Sequence, residues 1–108
     1  RYAVLDEALS VTMPPLITAI SGMDALCHAI EAYWSNHSNP ITDALSPAQI
    51  ALDVLPAAFR PSGDLLVRRR MLEGSMLAGL AISNARTTAA HAISYPMTVF
   101  YRVPHEIA

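Results

Sequence analysis

The stretch Ser21–Trp34, SGMDALCHAIEAYW, constrains this chain more than any other. Met23, Leu26, Cys27, Ile30 and Trp34 recur at three- and four-residue spacing, the period of a helix with one apolar side. Asp24, His28 and Glu31 form a second stripe on the same helix. Side chains four apart on a helix have Cβ atoms roughly 5–6 Å apart, so Asp24 and His28 can converge on one ion. The same spacing also suits an ordinary surface pair. A core stripe beside an acid–imidazole stripe is what a buried polar site requires.

The remaining composition agrees with helices. The chain is 53% hydrophobic and 15% charged, with few aromatics and many Ala, Leu, Ile and Met, which predicts a closely packed all-α body. At 108 residues it is one domain at most. A net charge of −2 leaves no electrostatic footprint for nucleic acid. The one basic cluster, Arg68–Arg70, reads as a solvated helix face. Cys27 is the single cysteine, so an intramolecular disulfide is excluded, and a reducing compartment, the cytoplasm, is expected. No apolar run approaches the ~18 residues of a membrane span, and no signal peptide is visible, so no membrane partner is expected.

Read in order, the chain predicts a bundle of about five helices behind a short extended N-terminal lead-in, residues 1–13. Tyr2–Leu5 is extended and Asp6–Thr12 a loop. Pro14 and Pro15 open a short helical piece, as proline is tolerated in a first turn. Ser21 is expected to cap the next helix. Ser35–Pro40 is a loop with His37 solvated in it. A helix follows from about Thr42 to Phe59, with Pro47 and Pro56 near its breaks, and then a turn at Pro61–Gly63. Ser62 or Asp64 can cap a long helix from Leu65 to about Asn84, with Leu66, Arg69, Leu72, Met76 and Leu80 on one side. Its small residues Gly74, Ser75, Ala78 and Gly79 let another helix come close. Ala89–Tyr101 is the last helix, with Pro96 liable to kink it and a break at Arg102–Pro104. The start at Arg1 and the stop at Ala108, where a helix is beginning, read as those of a piece of a larger protein.

Two further histidines can complete a site with Asp24 and His28. A straight helix from His91 to His105 would separate them by about 21 Å. Ligands of one ion each lie about 2 Å from it. The pair can share an ion only if the chain folds back, which Pro96 and Arg102–Pro104 permit.

GMDALCHAIEAYWS, LAGLAISNA and HAISYPMTVFYRVPH, in that order, resemble the iron-containing (group III) alcohol dehydrogenases. The resemblance runs through nearly the whole chain but covers about the middle third of a typical member. It implies a divalent metal, Fe²⁺ or Zn²⁺, held by Asp24, His28, His91 and His105. It also implies that residues 14–108 are the metal-binding helical domain, cut short at its C-terminal end. NAD or NADP would be held by a nucleotide domain of the full-length protein, expected to be a homo-oligomer acting on a small aldehyde or alcohol. No glycine-rich phosphate loop occurs in this chain.

Two positions depart from the family pattern. Tyr95 stands where many members carry a second histidine, which makes its phenol, with a pKa of about 10, a candidate proton donor. Glu106 replaces the glycine that usually follows the last ligand. ARTTAAHAISYPMT further resembles the phosphonoacetaldehyde reductase branch, and related Ser-Tyr-Pro patterns occur in the hydroxyacid–oxoacid transhydrogenases. On that resemblance Arg86 is a candidate for pairing with an anionic group on the substrate, since guanidinium suits a phosphonate or carboxylate. The alternatives are a metal-dependent lyase of the dehydroquinate synthase type and a catalytically silent helical assembly module.

Overall fold

A computed structural model describes residues 2–45, 53–57, 64–105 and 107. The described residues are helical throughout their regular parts, with no strand among them. Among the described residues, the α-helices with both ends defined are α1 (Pro15–Trp34), α2 (Pro40–Leu45), α3 (Leu65–Ala85) and α4 (Ala89–Tyr101). A 3-10 helix, Glu7–Ser10, precedes them, and residues 53–57 are helical too. The expectations for Pro47, Phe59, Pro61–Gly63, Ser62 and Glu106 lie outside the described residues.

The first helix corrects the sequence reading. Prolines 14 and 15 start it and it runs unbroken to Trp34, so Ser21 is no cap. The Ser21 hydroxyl instead donates back to the Ile17 carbonyl at 2.8 Å, with the Thr18 carbonyl at 3.3 Å a weaker share of the same proton, the alternative a mid-helix serine has to capping. The Asp6–Thr12 loop contains the 3-10 turn, capped by the Asp6 carboxylate, which accepts from the Ala8 N–H.

The buried faces are built from small residues. α1 buries Thr18, Ala19, Gly22, Ala25, Leu26, Ala29, Glu31 and Ala32, while Met23 and Trp34, which the spacing places on the apolar stripe, are exposed. α3 buries Gly74, Ala78, Ala81 and Ala85 and leaves Leu66, Arg69, Met76 and Leu80 exposed. Ala32, Ala81 and Ala85 form the centre of the packing, flanked by Leu45 and Ile82. Small side chains allow the two long helices to meet closely, as Gly74 and Ala78 predict. Ser75 and Gly79, however, are not buried.

Polar contacts lock that pair at both ends. Near the start of α3, Arg68 is buried and donates to Thr18 Oγ1 at 2.6 Å and to the Met13 carbonyl at 3.3 Å. It is therefore not part of a solvated face, although Arg69 and Arg70 are exposed. A guanidinium carries five donors, enough to be satisfied by neutral oxygens while its stem packs. At the other end the Ser35 hydroxyl donates to the Ala85 carbonyl at 2.5 Å. Asp64 caps α3 by accepting from the Leu66 N–H, and Asn39 Oδ1 accepts from Ile41 and Thr42 at the start of α2.

Two glycines of these helices give opposite expectations. A Cβ at Gly22 would run into Leu55 Cδ1 and come within 2.8 Å of Met71 Cε, whereas one at Gly79 would meet nothing. Gly79→Ala is expected to stabilise this chain by about 0.5–1 kcal/mol through helix propensity alone. At Gly22 overpacking offsets that gain, and Gly22→Ala is expected to destabilise by about 1 kcal/mol. Urea melts of the two variants check the contrast. Two shifts of the same sign would contradict it.

Candidate metal centre

Asp24, His28 and Glu31 lie along one side of α1, and Glu31 is the deepest of them, 1% exposed. Its carboxylate accepts from the backbone N–H groups of Thr88 (2.8 Å), Ala90 (2.8 Å) and His91 (3.2 Å). Those are the free donors of the first turn of α4, whose N-cap Thr88 makes no side-chain cap of its own. A carboxylate from α1 thus caps α4 and meets the positive end of its dipole. Trp34 Nε1–H reinforces the junction by donating to Thr88 Oγ1 at 2.7 Å. The same Glu31 carboxylate lies 2.9 Å from His91 Nδ1. α4 buries only His91 and Ser94, so this polar anchor, rather than an apolar face, sets where His91 stands.

Glu31 also fixes what His91 can offer. With Nδ1–H donating to Glu31, Nε2 is the ring nitrogen left to face the site. Nε2 is buried, has no hydrogen-bond partner among the described residues, and lies 3.7 Å from Asp24 Oδ1. Beyond α4, Arg102 adopts the left-handed conformation (φ 55°, ψ 27°), and its N–H bonds back to the Thr98 carbonyl at 3.1 Å. That end motif turns the chain back. Helix α4 itself continues through Pro96, and the reversal comes at the break expected at Arg102–Pro104. It brings the His105 ring to 5.4 Å from that of His91, centroid to centroid.

Asp24, His91 and His105 each present a ligand atom within 4.8 Å of the others. Donors sharing a divalent ion at about 2 Å each stand roughly 3–4 Å apart, so the three need only draw slightly together. His28 stands beside them. Its ring is stacked on that of His91 at 4.4 Å between centroids, and its Nδ1 is 3.6 Å from Asp24 Oδ2. The buried Nε2 of His91, without a hydrogen-bond partner among the described residues and facing a carboxylate and a second imidazole, fits a metal ion.

The protonation states suit ligation. Burial pushes the His28 pKa below its ordinary value; Asp24 opposes the shift and His91 adds to it. For Glu31 burial acts to raise the pKa, but hydrogen bonds from Thr88 and His91 outweigh it, leaving the carboxyl below the usual range. Burial, then Asp24 and Glu31, push the Cys27 thiol up, so it stays protonated. These directions fix an acid sensitivity. A depressed folded-state pKa stabilises the fold above the unfolded value and is lost below it. Stability is therefore expected to fall as pH drops below about 6.5, through His28, and again below about 4.5, through Glu31. Denaturant melts of the metal-free protein from pH 7 to pH 3 check this; rising stability on acidification would contradict it.

A cleft of about 400 Å³ opens beside the cluster, lined by Asp24, Cys27, Ala90, His91 and His105 among others. Tyr95 stands against the histidines, its ring stacked on His105 at 5.2 Å. Arg86 is exposed at the end of α3, in a backbone conformation (φ 64°, ψ 161°) that favours glycine, and it does not line the cleft. His37 is exposed. Two residues have roles that their sequence context does not show. Ser94 stands there only in a Ser-Tyr-Pro pattern, and Glu31 only as the third member of the stripe of Asp24 and His28, since its role depends on where α4 starts.

Residues 18–108 match the family described as Fe-containing alcohol dehydrogenase family, C-terminal. The chain belongs to that family. Among curated relatives, the 1-propanol dehydrogenase of Citrobacter freundii is 43% identical over 108 residues, covering 98% of this chain and 29% of that protein. Among solved structures, an iron-containing alcohol dehydrogenase from Thermotoga maritima superposes with a TM-score of 0.88 at 38% identity, covering 97% of this chain and 29% of that one. Sulfoacetaldehyde reductase from Bifidobacterium kashiwanohense, in complex with NAD⁺, superposes equally well (TM-score 0.88, 39% identity), covering 94% of this chain and 27% of that one. The chain thus spans 27–29% of the length of these family members. Its helical architecture is that of the family's C-terminal domain. No helix among the described residues is long and apolar enough to cross a membrane.

Proposed function

We propose that this chain provides the metal-binding helical domain, residues 14–108, of an NAD(P)-linked alcohol dehydrogenase that interconverts a small aldehyde and its alcohol. Residues 1–13 lead in from a nucleotide-binding domain of the full-length protein. The observation carrying this reading is His91 Nε2, buried, without a hydrogen-bond partner among the described residues, and facing Asp24 and His105. Asp24, His28, His91 and His105 are the ligand set. When bound, Fe²⁺ or Zn²⁺ supplies Lewis-acid polarisation of a carbonyl or alkoxide oxygen while hydride passes to or from the nicotinamide.

The chain's own residues have distinct tasks in this reading. Glu31 holds His91 in the tautomer with Nε2 free, and His28 stays neutral because burial disfavours its charge. The cleft beside Asp24, His91 and His105 receives the substrate's carbonyl end. Tyr95 Oη is the proton donor to the alkoxide; its ring lies 6.1 Å from that of His91. Arg86, exposed outside the cleft lining, pairs with an anionic group at the far end of the substrate; similarity to a reductase of sulfoacetaldehyde, an anionic aldehyde, supports that substrate class.

Mixing the full-length protein with NADH or NADPH, Fe²⁺ or Zn²⁺ and a panel of neutral and anionic aldehydes tests the reaction. Loss of nicotinamide absorbance with at least one combination is expected; none with any would contradict it. Arg86→Ala is expected to raise KM for anionic aldehydes roughly tenfold, the worth of one charge-assisted pair, and to leave KM for neutral ones unchanged. An unchanged KM for the anionic aldehydes would remove Arg86 from the site.

A further inference from the structure

His105 stands on the far side of the chain reversal from His91, on a short non-helical segment, so something other than a helix must aim its ring. Two adjacent residues of α4 contact it. Ser94 Oγ lies 3.2 Å from His105 Nδ1, and Ser94, buried, donates its hydroxyl proton to the His91 carbonyl at 3.2 Å. A hydroxyl has a single proton. With that proton directed to His91, Ser94 can only accept from His105, which puts the ring proton on Nδ1 and the lone pair on Nε2. On the next residue, the Tyr95 ring lies parallel to the imidazole, 5.2 Å between centroids and 3° between planes.

We infer that Ser94 and Tyr95 act together as a clamp that sets both the tautomer and the plane of His105, presenting its Nε2 beside that of His91 and the Asp24 carboxylate. Ser94 does for His105 what Glu31 does for His91, through a neutral oxygen instead of a charged one. Both are positioning residues: the second hydrogen bond of a ligating imidazole decides which nitrogen faces the metal. Tyr95 contributes its ring to the clamp independently of its hydroxyl. The inference rests on the metal-centre reading for its consequence, but its tautomer statement holds without any ion.

The test combines ¹⁵N NMR of the histidine rings in the metal-free full-length protein with Co²⁺ titration. The wild-type protein is expected to show His105 protonated on Nδ1. Ser94→Ala is expected to shift it to the Nε2–H form and to weaken Co²⁺ binding on the order of tenfold, the usual effect of losing such a partner. Ser94→Thr keeps a hydroxyl and is expected to restore the Nδ1–H form. Tyr95→Phe keeps the ring and is expected to bind Co²⁺ like wild type, whereas Tyr95→Ala is expected to bind it several-fold more weakly. An Nε2–H His105 in the wild type, or Ser94→Ala with tautomer and affinity both unchanged, would overturn the clamp. Equal Co²⁺ affinity in Tyr95→Phe and Tyr95→Ala would overturn the ring's part in it. A wild-type Nδ1–H ring in a protein that takes up no Co²⁺ would sink the metal centre and support the tautomer assignment.

Discussion

Replacing Glu31 with Ala is expected to cost about 3–5 kcal/mol of folding stability, the range for removing one member of a buried, fully bonded polar network. The substitution removes the acceptor of three backbone N–H groups at the start of α4 and of the His91 imidazole in one step. The loss is concentrated in one place, because α4 buries only His91 and Ser94 and is held by this carboxylate. Glu31→Gln keeps the shape but offers one acceptor oxygen in place of two and turns an NH₂ towards donors. An intermediate loss is expected for it, together with a shallower fall of stability below about pH 4.5, since its amide does not titrate. Guanidinium melts of the three proteins measure both effects. A loss below about 1 kcal/mol in Glu31→Ala would mean that water satisfies those donors and that Glu31 is not the anchor.

Much of this arrangement is legible in the sequence, and the parts that are not have physical reasons. Helical period and the acid–imidazole stripe of α1 can be read because they are local. Which face is buried cannot be read from size alone. The helices meet through glycine and alanine at positions such as Gly22, Ala25, Ala78 and Ala81, and this leaves Met23 and Trp34 outward. Ser21 carries the residue type of a cap, yet Pro14 and Pro15 have already begun the helix and its hydroxyl bonds backward. Arg68 belongs to a charge run but is drawn inward by two neutral acceptors from a segment about fifty residues earlier. The convergence of His91 and His105 uses the break expected at Arg102–Pro104, but the positive φ at Arg102 that sends the chain back is not legible in an arginine as it would be in a glycine. Ser94 stands in a Ser-Tyr-Pro pattern, but its role is not legible there, because its partner is defined only after the chain reverses.

Asp24 shares a stripe with Glu31, but the opposite outcome is expected on removing it. It is partly exposed, and its carboxylate oxygens lie 3.6 and 3.7 Å from the nitrogens of His28 and His91, too far for hydrogen bonds that would hold the fold. Asp24→Ala is therefore expected to change stability in the absence of metal by less than about 1 kcal/mol. Its effect falls on the ion. Losing a partner that only orients a ligand already weakens metal binding about 10–100-fold. Losing the one carboxylate of the ligand set removes a ligand and a negative charge together, and a weakening on the order of 100-fold or more is expected. On the proposed function, activity of the full-length protein would fall with it.

The central claim, that these side chains form a metal centre, is tested most directly by the metal content of the purified full-length protein beside Asp24→Ala and His28→Ala. About one Fe²⁺ or Zn²⁺ per chain is expected in the wild type, in keeping with a single ligand set. Little metal is expected in either variant, both still folded. Unchanged, stoichiometric metal in both variants would contradict the account.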